Sequence, residues 1–232
     1  MSGLEIGVLG FVILLILLAV RIPIAVAMLT VGLVGYLIIA GPAALLSYLK
    51  GEMYWRFTTF DLSVVPLFVL MGQFAAKAGL SQALFKAANV WLGHYRGGIA
   101  MAAVGGCGGF GAISGSSLAT AATMGQVALP ELKRYNYAGS LATGALAAGG
   151  TLGILIPPSV VLIIYAIMVE ANIVTLFQAA FIPGILAALG YMATIAIVVR
   201  INPEAGPAGP KATRSEQFLA LLDIWPFIVI FL

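Results

Sequence analysis

Long apolar windows dominate the hydrophobic pattern of this chain. Charged residues bound most of these windows, and several windows hold the roughly 20 apolar residues that a helix needs to cross a bilayer. The windows lie at residues 6–20, 22–49, 62–78, 97–130, 135–169 and 171–199, and a further apolar run begins at Phe218. The pattern predicts an all-α integral membrane protein, built as a multi-helix bundle.

Composition supports the same fold class. Apolar residues make up 62% of the chain and charged residues 8%, whereas soluble proteins average roughly 45–50% and about 25%. Eleven basic and eight acidic side chains could not cover the surface of a water-soluble domain of 232 residues. The small positive net charge is better explained as a topology signal than as a nucleic-acid site. We therefore expect a lipid bilayer around the protein and no nucleic-acid partner.

The distribution of basic residues predicts the orientation in the membrane. If the N-terminus lies outside and the window 97–130 enters and leaves on one side, nine Lys and Arg residues are cytoplasmic. Only Lys50 and Arg56 then lie outside. This asymmetry follows the positive-inside rule, so we predict an external N-terminus.

The window 97–130 does not fit a plain transmembrane helix. A straight helix of its 34 residues would be about 51 Å long, against a hydrocarbon core of about 30 Å. Two crossings would need about 40 residues and a turn. The run 114–117 (SGSS) is a turn signal inside apolar sequence. We predict a re-entrant helical hairpin with its tip at 114–117; the glycine run 105–111 before it also suits simple close packing of helices.

The window 135–169 contains a second predicted break. Pro157 has no N–H for the carbonyl of Gly153, and Pro158 has none for that of Ile154. Carbonyl oxygens freed at this depth can bind a small cation, although a proline kink satisfied by Ser159 or water is an alternative. Two broken elements in one chain are typical of secondary transporters.

The sequence around these breaks resembles a known family. The runs 111–125 (GAISGSSLATAATMG), 129–137 (LPELKRYNY) and 149–159 (GGTLGILIPPS) are similar to those of the large membrane subunit of tripartite ATP-independent periplasmic (TRAP) transporters. The resemblance implies one half of an inverted-repeat, elevator-type transporter. It implies sodium-driven import of organic acids, such as C4-dicarboxylates or sialic acids, across the bacterial inner membrane. It also implies a small four-helix membrane subunit and a periplasmic substrate-binding protein as partners.

The resemblance further implies an ion site shared by the hairpin tip and the facing break. Matching the motifs places a transported sodium ion, rather than a tightly held cofactor, largely on backbone oxygens. The matching residues are Ser114, Ser116, Gly153, Ile156 and Pro158. Candidate substrate-facing residues are Ser117, Thr120 and Thr151.

Three regions follow from these elements. Residues 1–96 are predicted to be scaffold-like transmembrane helices plus an amphipathic helix, 81–95, lying along the membrane surface. Residues 97–170 are the predicted ion and substrate core. Residues 171–232 are a transmembrane helix, a cytoplasmic Pro/Gly-rich loop at 202–215 and the start of a further helix, whose abrupt end predicts a truncated chain.

Another kind of secondary transporter with re-entrant loops is one alternative, and two other functions also remain. A channel is possible because glycine-rich re-entrant loops also build selectivity filters, and dependence of uptake on a sodium gradient would separate channel from transporter. An intramembrane serine protease, with a G-x-S-G serine, would need glycine where Ala112 precedes Ser114. It would also need a partner histidine, and His94 is 20 residues upstream at the predicted surface. We therefore expect that the protein is not an enzyme.

Overall fold

The protein is all-α, as predicted. The computed structural model describes residues 3–58 and 60–231, with side chains described except at positions 52, 53, 55–57, 60, 61, 230 and 231. Every regular element in these ranges is a helix. The chain divides into two compact units, Met1–Leu62 and Ser63–Leu232. The predicted functional boundaries at 96/97 and 170/171 stay predictions.

The first unit is a pair of packed helices, α1 (Gly3–Ala19) and α2 (Ile24–Thr58). The pattern predicted no interruption in the second window, but α2 is kinked at Gly41, which has φ of 83° and ψ of 169°. The kink arises because Pro42 follows and cannot donate to the carbonyl four residues earlier. A short 3-10 turn, Phe60–Ser63, comes after α2.

The second unit is built around one buried helix. Its elements are α3 (Val64–Lys77), α4 (Leu80–Leu92), α5 (Gly98–Ser114), α6 (Ser117–Arg134), α7 (Gly139–Leu155), α8 (Val160–Met168), α9 (Ile173–Ile201), α10 (Arg214–Asp223) and α11 (Trp225–Phe231). Fourteen of the 17 residues of α5 are buried. Because α4, α6 and α7 all pack against α5, the hairpin formed by α5 and α6 lies at the centre of the core.

The glycine run in α5 serves close packing. A side-chain carbon at Gly111 would lie 2.7 Å from Cα of Gly153, and one at Gly106 would lie 2.6 Å from Cε of Met124. Real carbon contacts are about 3.5–4.0 Å, so a larger residue at Gly111 would push α5 away from α7, and one at Gly106 would displace the end of the Met124 side chain. The packing interpretation of residues 105–111 is therefore correct.

Within the described residues, two helical segments are long and apolar enough to cross a membrane, Ile24–Gly51 and Ile173–Ile201. Two further spans are possible if each bent pair counts as one: α3 with α4, bent by 62°, and α7 with α8, bent by 42°. The predicted surface helix 81–95 corresponds to α4. It packs Phe85 and Leu84 into the core and leaves Lys86 exposed. Its position along the membrane surface stays a prediction.

The Pro/Gly-rich loop between α9 and α10 is held against the open end of the hairpin. The N–H of Gly97 donates to the carbonyl of Gly206 at 2.9 Å, and the N–H of Gly209 donates to that of Gly93 at 2.8 Å. The N–H of Ala138 donates to Ala205 at 2.9 Å. Backbone hydrogen bonds thus tie the loop to the turns before α5 and before α7.

The helix predicted from Phe218 begins earlier, at Arg214. Thr213 accepts a hydrogen bond from the N–H of Glu216 at 3.3 Å, and the Glu216 carboxylate accepts one from the N–H of Thr213 at 2.7 Å. This capping box satisfies two backbone donors at the helix start. The helix then ends at Asp223, three residues before Pro226.

Candidate functional site

The predicted hairpin is present, with its turn where the sequence placed it. Helix α5 ends at Ser114 and α6 begins at Ser117. Between them Gly115 has φ of 59°, a left-handed conformation that glycine adopts without a steric penalty. Ser116 then caps α6 by accepting a hydrogen bond from the N–H of Ala119 at 3.4 Å. Residues 114–117 are called the hairpin tip below; its depth in a membrane stays a prediction.

The predicted break in the next apolar window is also present. Helix α7 ends at Leu155 and α8 begins at Val160, and Ser159 caps α8 by accepting a hydrogen bond from Leu162. The prolines at 157 and 158 cannot supply N–H groups to the last turn of α7. Its terminal carbonyls therefore lose their usual helical partners. Residues 156–159 are called the break below.

The hairpin tip and the break contact each other directly. The N–H of Val160 donates to the carbonyl of Gly115 at an N–O distance of 3.4 Å. A side-chain carbon at Gly115 would lie 3.3 Å from the carbonyl oxygen of Pro158, and one at Gly153 would lie 2.8 Å from that of Ser116. Small residues on both sides thus allow two irregular backbone segments to meet. The structure brings together Ser116, Gly153 and Pro158 of the predicted ion site.

A buried group of neutral oxygens lies inside the tip. The hydroxyl oxygen of Ser114 is 2.7 Å from that of Thr120, and 3.4 Å and 3.5 Å from the carbonyl oxygens of Ser116 and Gly111. Ser114 is 6% exposed and Thr120 is fully buried. These four oxygens are called the oxygen cluster below. Gly153 packs against it, because a side-chain carbon there would lie 2.6 Å from the Thr120 hydroxyl.

Helix termini add to the electrostatics of this region. The carboxyl ends of α5 and α7 lie at the tip and at the break, where unpaired carbonyls carry partial negative charge. The amino ends of α6 and α8 follow immediately, where backbone N–H groups carry partial positive charge. The first pair of ends favours a bound cation, and the second pair favours an anionic group.

The remaining predicted residues have other surroundings. The side chain of Ile156 packs near Gly184 of α9, whose added carbon would lie 2.8 Å from Cγ1 of Ile156. Ser117 is half-buried in the first turn of α6. Thr151 is exposed, and its hydroxyl lies 3.0 Å from that of Tyr191. The substrate-facing roles assigned to Ser117, Thr120 and Thr151 stay predictions.

Two residues around Ser114 were not anticipated at the ion site. Thr120 was predicted to face substrate, but the tip turn places its hydroxyl against Ser114. Gly72 of α3 also approaches, because an added carbon there would lie 3.1 Å from Cα of Ser114. No local pattern predicts Gly72, because its role depends on packing between α3 and α5. The spacing of Ser114 and Thr120 across a predicted turn was a usable signal.

Comparison with protein families identifies a match over nearly the whole chain. Residues 11–232 match the family described as the tripartite ATP-independent periplasmic transporter, DctM component. The matched range includes the hairpin, the break, the whole second unit and the first unit from residue 11 onwards.

Several curated proteins are similar in sequence. The C4-dicarboxylate TRAP transporter large permease protein DctM of Pseudomonas aeruginosa is 41% identical over 157 residues, which cover 68% of this chain and 36% of that protein. The sialic acid TRAP transporter permease protein SiaT of Haemophilus influenzae is 35% identical, over 71% of this chain and 26% of that protein. The DctM protein of Vibrio cholerae is 31% identical, over 77% and 43%. The chain thus spans less than half the length of these relatives.

Proposed function

Because the chain belongs to the DctM component family of the tripartite ATP-independent periplasmic transporters, we propose that it forms part of the large permease subunit of a sodium-coupled importer. The transported molecules are organic acids, and the membrane is the bacterial inner membrane, with the N-terminus in the periplasm. The partners are a small four-helix membrane subunit and a periplasmic substrate-binding protein. Relatives named as transporters of C4-dicarboxylates and sialic acid support this substrate class.

The contact between the hairpin tip and the break carries the sodium proposal. Hydroxyl and carbonyl oxygens are ligands that hard cations prefer. The oxygen cluster is composed of such groups, and its oxygens carry no formal charge. A neutral cage suits one positive charge better than two. It also binds weakly, which allows the ion to leave on the opposite side of the membrane.

The paired helix ends support coupling of the ion to an anionic substrate. The cation lies near the carboxyl ends of α5 and α7, and the amino ends of α6 and α8 face a carboxylate. Ser117, in the first turn of α6, is a candidate contact for this carboxylate. Binding both charges between the tip and the break lets sodium favour the conformation that holds the substrate. Movement of this body as an elevator would then carry both across the membrane.

The direct test is uptake by the complete transporter in proteoliposomes, with its partner subunit and binding protein. Labelled C4-dicarboxylate and labelled sialic acid are supplied outside, under an inward sodium gradient or in potassium alone. We expect accumulation of one of these acids only under the sodium gradient. Equal sodium on both sides should abolish accumulation. Equilibration that follows the substrate gradient alone would support a channel, and accumulation in potassium would contradict sodium coupling.

A further inference from the structure

A buried hydroxyl pair crosses the hairpin turn. Ser114 is the last residue of α5, and Thr120 is in the first turn of α6. Their hydroxyl oxygens are 2.7 Å apart, and Thr120 is fully buried. We propose that Thr120 is a positioning residue, which orients the Ser114 hydroxyl and thereby sets the sodium affinity of the hairpin tip. This inference rests on the proposed function.

The direction of the hydrogen bond from Ser114 determines whether its oxygen can bind a cation. A serine hydroxyl has one hydrogen to donate and two lone pairs. When its oxygen binds a cation, the hydrogen must point away from the ion. The Thr120 oxygen is the shortest contact of the Ser114 hydroxyl, and either oxygen of this pair can be the donor. The N–H of Ser116 also donates to the Ser114 oxygen, at 3.5 Å, so donation from Ser114 to Thr120 leaves the second lone pair of Ser114 for sodium.

Loss of the Thr120 hydroxyl would redirect this hydrogen. The other oxygens near the Ser114 hydroxyl are the carbonyls of Ser116 and Gly111, at 3.4 Å and 3.5 Å. A hydrogen donated to Ser116 would occupy a carbonyl that is itself predicted to bind the ion. The Ser114 hydroxyl would then lose its orientation toward the ion, and the Ser116 carbonyl would have less partial negative charge available for the ion.

Packing keeps Thr120 in this position. A side-chain carbon at Gly153 would lie 2.6 Å from the Thr120 hydroxyl oxygen, so α7 packs directly against Thr120. Valine has nearly the same shape as threonine but carries a methyl group in place of the hydroxyl. Thr120→Val therefore removes the acceptor with little change in volume, and Thr120→Ser keeps the acceptor.

The test measures sodium binding without substrate. The complete permease with its partner subunit is purified, and its thermal unfolding is followed at graded NaCl, with KCl holding ionic strength constant. For Thr120→Val we expect an apparent Kd for sodium about tenfold higher, equivalent to ~1.4 kcal/mol. The apparent Kd of Thr120→Ser should stay within about threefold of the wild-type value, because the serine hydroxyl retains the hydrogen bond with Ser114. Thr143→Val is the matched control, since the exposed Thr143 hydroxyl donates only within α7, to Gly139 at 2.8 Å.

A double-mutant cycle tests whether Thr120 acts through Ser114. In a Ser114→Ala background, Thr120→Val should cause no further loss of sodium affinity. Additive losses would overturn the inference, as would an unchanged sodium response in Thr120→Val. An equal loss in Thr120→Ser would also overturn it, because packing would then be the cause.

If the valine variant does not purify, Thr120→Ala removes the same hydroxyl and is judged by the same outcomes. A wild-type permease without any sodium response would refute the proposed function itself, and this inference with it.

Discussion

Gly153 offers the sharpest perturbation of the contact between hairpin and broken helix. It lies in the last turn of α7, buried, with the hairpin tip directly against it. A side-chain carbon there would lie 2.6 Å from the hydroxyl oxygen of Thr120 and 2.8 Å from the carbonyl oxygen of Ser116. The carbonyl belongs to the backbone of a tight turn and cannot rotate away. Gly153→Ala therefore adds one methyl group that would clash with both of these oxygens.

The size of the effect follows from these distances. Restoring an ordinary carbon contact of at least 3.4 Å requires the tip and α7 to move apart by about 0.6–0.8 Å. Overpacking of a dense core by one methylene typically costs about 1–3 kcal/mol. The same displacement separates Gly153 from Ser116, two residues of the predicted sodium site. We expect lower stability and an apparent sodium Kd raised about tenfold or more, since ~1.4 kcal/mol is a factor of ten.

The assay is thermal unfolding of the complete permease at graded sodium and constant ionic strength. Gly144→Ala on the same helix is the control, because nothing lies within 4 Å of a carbon added there. That variant should be as stable as the wild type or more stable, since alanine in a helix interior is favoured over glycine by roughly 0.5–1 kcal/mol. Wild-type sodium affinity in Gly153→Ala would refute the claim that this contact shapes the ion site.

Further predictions concern topology and the α10 cap. Single cysteines at the exposed positions Arg96 and Lys133, in a Cys107→Ala background, should both react with an impermeant thiol reagent from the cytoplasmic side; labelling from opposite sides would exclude a re-entrant hairpin. Thr213→Ala should speed hydrogen exchange in the first turn of α10, since an N-cap contributes about 1 kcal/mol; unchanged exchange would contradict the role of the cap. Hydrogen bonds from the backbone N–H and hydroxyl of Thr213 lower the pKa of Glu216. These hydrogen bonds therefore stabilise α10 fully above the usual pKa of a glutamate. Their contribution to its stability is lost as the pH falls through the lowered pKa of Glu216. Acidification should therefore weaken protection of α10 in the wild type but not in Glu216→Gln.

The breaks in regular structure were predictable because their causes are local. The tip at 114–117 followed from a window too long for one helix and a Gly/Ser turn signal. The break at 156–159 followed from two prolines, which remove two helical hydrogen bonds wherever they occur. The kink at Gly41 has a similar local cause, a Gly-Pro pair. The early start of α10 also had a signal, the Thr213 and Glu216 spacing of a capping box.

The contacts that build the site could not be predicted in the same way. The Ser114 and Thr120 hydroxyls meet only because Gly115 closes a left-handed turn. Gly153 reaches Ser116 because glycines let α5, α6 and α7 approach closely. The contact of Gly153 with Ser116 joins residues far apart in sequence, and packing of whole helices determines it. Hydrophobic periodicity predicts which face of a helix is buried, but it does not specify which atom lies opposite.

The most direct measurement is a high-resolution structure of the complete transporter determined in sodium and again in potassium. We expect a density peak between the hairpin tip and the break in sodium. Oxygens of Ser114, Ser116 and Gly153 should surround it. The distance from each oxygen to the ion should be about 2.3–2.6 Å, as is typical of hard cations such as calcium. The peak should be missing or displaced in potassium. An empty tip in saturating sodium, with the ion bound elsewhere, would contradict a sodium site at the contact between the hairpin tip and the break.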